Sequence, residues 1–242
     1  MRLGARSVSD ATARLRGNRL ALAGAVLYFM EWVVIVIAPS LPTDKLGKDP
    51  ASIAAAYAEH PSRTALLAGW LSVVLLGRVL FVAGLRDALR DAPQARVLLD
   101  WAFGAMIVSV TIEIVDYALV ASGAWLAHAG AGRDSIVALD TVGTVVFLVL
   151  FGPIGASVLA AALGMRASRL FPAWLGWLGV VAGGLLAAGG ILGASAKGST
   201  GAFHDAGGAL ASIPVPFVWV WLVATGVIVW RAGRVSASPE AA

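Results

Sequence analysis

Four carboxylates interrupt long apolar runs of this sequence: Glu31, Glu113, Asp116 and Asp140. If those runs lie in lipid, each acid costs about 2.5 kcal/mol or more near the bilayer centre, so its presence is a functional hypothesis by default. Glu113, Asp116 and Tyr117 recur at i, i+3 and i+4, the spacing of one helical face. Two neighbouring carboxyls in a low dielectric do not comfortably hold two charges, so at least one keeps its proton near neutral pH. A protonated acid in an apolar pocket can pass protons during transport, or act as a Brønsted acid on a hydrophobic substrate. Tyr28, Trp32, Tyr117 and Trp125 fall at similar depth and would stabilise a cationic intermediate through their ring faces, although such aromatics are more often interfacial anchors. Glu113 is the deepest acid and the expected proton donor, with Asp116 its partner and Asp140, near a helix end, of less weight. Arg78 also falls within a span; it is expected below the acids, as a structural or snorkelling residue rather than as the counter-ion of Glu113.

Other chemistries find little support. Cys is absent, which removes thiolate nucleophiles, disulfides and Cys-ligated metals. There is no P-loop, no HExxH and no GxSxG, and nothing calls for a cofactor. His60, His128, His204 and Asp205 sit in loops on one side, but no two His share a ligand spacing, so no metal is expected.

The elements that must position the acids follow from composition. Of 242 residues 59% are hydrophobic and 13% charged, against roughly a quarter charged in soluble domains. With a mean hydropathy of +0.85, most of the chain takes lipid as its solvent. A spanning helix needs about 20 apolar residues, and six candidates are readable: 20–38, 64–85, 97–127, 136–165, 173–195 and 213–230. Pro153 predicts a kink in the fourth, and the Gly-rich fifth predicts close helix packing. The fold class is therefore an all-α transmembrane bundle of about six helices, residues 20–231. A basic leader, 1–19, precedes it and a short tail, 232–242, follows. The segment 52–58 reads as a short interfacial helix.

The basic residues orient this bundle. Arg2, Arg6, Arg14, Arg16, Arg19, Arg86, Arg90, Arg96, Arg166, Arg169, Arg231 and Arg234 fall on one side; Lys45, Lys48, Arg63, Arg133 and Lys197 fall on the other. By the positive-inside rule both termini are cytoplasmic. That placement also accounts for the net charge of +4 without a nucleic-acid partner, since no basic patch is interleaved with exposed aromatics.

The run Phe171-Pro172-Ala173-Trp174-Leu175-Gly176-Trp177-Leu178-Gly179, with the Arg-flanked first helix and the six-span layout, is similar to a large bacterial family described only as a domain of unknown function. The likeness covers roughly residues 18 to 232 and implies an uncharacterised multi-pass membrane protein, with no functional residues to carry over. The expected location is the bacterial inner membrane, with the lipid bilayer as partner. The leading functional expectation is an intramembrane cyclase or isomerase using carboxylate acid catalysis on an apolar isoprenoid or lipid. A proton-coupled carrier and a non-catalytic membrane partner, such as an immunity protein, are the alternatives.

Overall fold

The computed structural model describes residues 15–37, 49–196 and 213–235, all helices and short turns. The helices are α1 (Leu20–Ile37), α2 (Pro50–Glu59), α3 (Pro61–Val74), α4 (Leu76–Ala88), α5 (Pro93–His128), α6 (Arg133–Val149), α7 (Phe151–Ser168), α8 (Ala173–Ala196) and α9 (Pro214–Val235). Five of the helical stretches are long and apolar enough to cross a membrane: 61–88, 93–128, 133–168, 173–192 and 214–233. In α1 the apolar stretch counted by the same measure is the shorter 20–31. The described residues are thus all-helical, with the spans of a multi-pass membrane protein.

Two of the long stretches are jointed. At Leu150 the helix is interrupted between α6 and α7, one turn ahead of Pro153. The expected kink falls there because proline lacks an N–H and its ring crowds the carbonyl four residues earlier. The joint at Leu75, between α3 and α4, has no proline. Here the Arg78 N–H bonds to the Leu75 carbonyl at 3.0 Å, an i→i+3 bond that tightens the turn just before Arg78.

Small residues set the helix crossings. A Cβ on Gly77 would lie 2.6 Å from the Gly24 carbonyl and 2.6 Å from the Tyr28 nitrogen, so α1 and α4 touch backbone to backbone. The glycines of α8 behave as their spacing predicts: Gly183 faces Leu159 and Gly155 of α7.

One end of the bundle gathers basic residues. The Arg16 N–H bonds to the Ala88 carbonyl at 3.0 Å, and its guanidinium pairs with Asp91. Asn18 caps α1 by accepting from the Leu20 N–H at 3.1 Å, and donates to the Gly84 carbonyl at 2.8 Å. Gly17 packs on Gly233, and Gly164 of α7 lies 3.5 Å in Cβ reach of the Ala95 carbonyl. The start of α1, the turn between α4 and α5, the close of α7 and the end of α9 therefore share this face. Trp101, Trp174 and Trp177 are exposed near it, and Trp70 and Trp125 are exposed toward the other end, the distribution of interfacial anchors.

Candidate functional site

Helix α5 supplies the axis of the site. Its end at the basic face is marked by Asp100, which pairs with half-exposed Arg86 at 2.6 Å, and its far end by exposed His128. Glu113 lies between them, about 20 Å along the helix from either, given 1.5 Å of rise per residue. That is the midplane of the span.

All four sequence-predicted acids are buried: Glu31 is 7% exposed, Glu113 4%, Asp116 3% and Asp140 4%. They come from α1, α5 and α6, and three tyrosines stand among them. Tyr117 donates to Glu31 at 3.2 Å and lies within electrostatic reach of Glu113 and Asp116. Tyr28, one turn before Glu31, also hydrogen-bonds that carboxyl. At the other end, Tyr57 of α2 donates to Asp140 at 3.0 Å and lies within reach of Asp116. Glu31 thus approaches the Glu113 and Asp116 face, as three acids of similar depth sharing one interior should.

The placement of Arg78 is a correction. The sequence reading set it below the acids, away from Glu113; in the structure its Nη2 donates to Glu113, and both side chains are buried. The physical reason is side-chain direction. On a helix the Cα–Cβ bond tilts toward the amino terminus, so the long Arg78 side chain reaches back toward the α3 end, to the level of Glu113. Glu113, read as the proton donor, is thus paired with a guanidinium. The Arg78 Nε and Nη1 are buried with no hydrogen-bond partner, as is the Ser109 hydroxyl one turn before Glu113.

Tyr28 carries the Arg78 guanidinium over one ring, 4.9 Å from the centroid, and stacks on Trp219 of α9 at 3.9 Å. Trp125 is 57% exposed and stands edge-on to His128 at 5.8 Å. The Trp32 side chain, His204 and Asp205 lie outside the described residues. An open groove of about 690 Å³ runs along α1 between Arg19, Val26, Met30 and Trp230, and none of the four acids lines it.

Sequence reasoning missed Tyr57. It is 1% exposed, although its segment was read as interfacial. Gly123 of α5 makes room for it: a Cβ there would lie 2.8 Å from the Tyr57 ring. Burial first, and neighbouring Asp140 second, push the Tyr57 hydroxyl well above its ordinary range, so it stays a donor to that carboxylate. The signal was present as a lone tyrosine in an Ala-rich helix just before Pro61.

The arrangement holds one buried guanidinium against four buried carboxyls. Two of them, Glu31 and Glu113, lie within electrostatic reach of that guanidinium. Among the described residues no group of three acidic or His side chains converges closely enough to hold a metal ion.

No family model matches the chain, nor does any curated protein or solved structure.

Proposed function

We propose that this chain is a six-span protein of the bacterial inner membrane, with both termini cytoplasmic, whose buried acids bind and release protons as part of a carrier cycle. The observation that carries this reading is the seam of four buried acids sharing the single guanidinium of Arg78. Helix α1 is then the first span, and the basic end of the bundle faces the cytoplasm by the positive-inside rule. The layout is also that of the uncharacterised bacterial family suggested by residues 171–179.

The cyclase or isomerase reading needs a protonated acid facing an apolar cavity with free aromatic faces. The faces of Tyr28 are taken by Arg78 and Trp219, and Glu113 is taken by Arg78. Those contacts favour the carrier.

Two measurements test it. Difference infrared spectra of the reconstituted protein should contain protonated-carboxyl bands near neutral pH that shrink as pH rises; carboxyls ionised at every pH would overturn the reading. The native absence of Cys makes single-Cys labelling clean. Thr144→Cys, one turn from Asp140 and buried, should react with a membrane-impermeant maleimide at least fivefold faster at one pH than at another. Each rate is first divided by that of an exposed single-Cys control at the same pH, which removes the pH dependence of the thiolate itself. A site closed at every pH would make the acids structural.

A further inference from the structure

Arg78 is 2% exposed, yet only Nη2 of its three guanidinium nitrogens has a hydrogen-bond partner. Buried donors without partners are rare, because each loses its hydration without replacement. A midplane guanidinium with two such donors is built to take a second acceptor. The candidate acceptor is already beside it. Glu31 lies one turn after Tyr28, whose ring carries the guanidinium at 4.9 Å, and it is within electrostatic reach of both Arg78 and Glu113. The Gly24–Gly77 contact holds the α1 and α4 backbones together, which keeps Glu31 and Arg78 on touching helices.

We infer that Arg78 is a counter-ion shared between Glu113 and Glu31, and that the proton on one of these two glutamates decides which of them holds it. With Glu31 protonated, its carboxyl rests on Tyr117 and Tyr28, and Arg78 ties α4 to α5 through Glu113. When the proton moves to Glu113, the guanidinium passes to Glu31 and ties α4 to α1. Proton and ion pair exchange together, and the buried net charge of the trio stays constant. The groups facing Glu31 are Tyr28 on its own helix, Arg78 on α4, and Glu113 and Tyr117 on α5. Helix α9 presents Trp219, and α3 presents the apolar Leu71 and Val74. The exchange rests on the proton-binding reading of the acids, and it supplies what a carrier needs: a bistable tie between helices biased by one proton.

The test uses the full chain in four forms: wild type, Glu31→Gln, Glu113→Gln and the double variant. Unfolding in mixed micelles should show the double variant losing at least tenfold more in its unfolding equilibrium than the two single losses combined, because only there does Arg78 lack a carboxylate. Additive losses overturn the exchange. In Glu113→Gln, the protonated-carboxyl band that Glu31→Gln removes from wild type should be missing, since Arg78 now holds Glu31 ionised; its persistence overturns the exchange. Should Glu113→Gln not fold, Arg78→Gln decides. The Glu31 band should then survive to a pH at least one unit higher than in wild type, and an unmoved titration is the contrary result. A wild type with no protonated carboxyl at any pH defeats the proton-binding reading itself. A wild-type Glu31 band that titrates, yet persists in Glu113→Gln, defeats only the exchange.

Discussion

Arginine–carboxylate pairs tie α4 and α5 to their neighbours at two levels of this bundle, and the two levels obey different physics. At the basic rim, Arg16 pairs with Asp91 with side chains 45% and 42% exposed; at the midplane, Arg78 pairs with Glu113 with side chains 2% and 5% exposed. Water competes for the rim pair at no cost to either partner. At the midplane neither group has that alternative, so the pair is cheap to keep and costly to break. The same residue types thus make a replaceable clasp in one place and an obligatory balance in the other.

The sharpest way to break this comparison is to strip the deep guanidinium of both glutamates. The Glu31→Gln/Glu113→Gln double variant should lose roughly 3–5 kcal/mol, the usual cost of an uncompensated buried charge, read by unfolding in mixed micelles. Next in size is Tyr57→Phe, which leaves the Asp140 carboxyl without its 3.0 Å donor. A loss of about 1–2 kcal/mol is expected, with faster hydrogen exchange across α2. No change in either would detach α2 from the seam. Smaller still is Arg16→Ala at the rim, below about 1 kcal/mol and fading as salt is raised. A rim loss as large as the midplane one would erase the contrast between the two levels.

The acids themselves were legible because a charge inside an apolar run has no innocent explanation. So were five of the spans, and Pro153 announced the joint at Leu150. The partners were not. The Arg78–Glu113 pair joins residues 35 apart in sequence, across an α4–α5 contact that no single-helix pattern contains. Counting residues along a span gave the depth of the Arg78 Cα but ignored the reach of its side chain. Tyr57 was hidden for another reason: a ten-residue helix between two prolines looks like a surface element until Gly123 is seen to make room for its ring.

The smallest effect belongs to a carboxylate on the watery side of the comparison. Asp49 caps α2, accepting from the Ser52 N–H at 3.1 Å and the Ala51 N–H at 2.8 Å. Those donors, Ser52 first, Ala51 next and the Ser52 hydroxyl after them, hold its carboxyl below the ordinary aspartate range. The sign follows from linkage: a carboxyl whose folded value is depressed adds stability above its unfolded value and loses it as pH falls through the folded one. The cap should therefore be intact at neutral pH and fail only in acid, below the ordinary value of about 3.9. Protection of the Ala51 and Ser52 amides, measured against their intrinsic exchange rates, should fall there in wild type. In Asp49→Asn, which still accepts through its amide oxygen, that protection should not change across the interval. The Tyr57–Asp140 contact at the far end of the same helix should hold α2 in place throughout, because its donor stays protonated. Release of all of α2 together with its cap would mean that the exposed end, rather than the buried tyrosine, fixes this helix on the bundle.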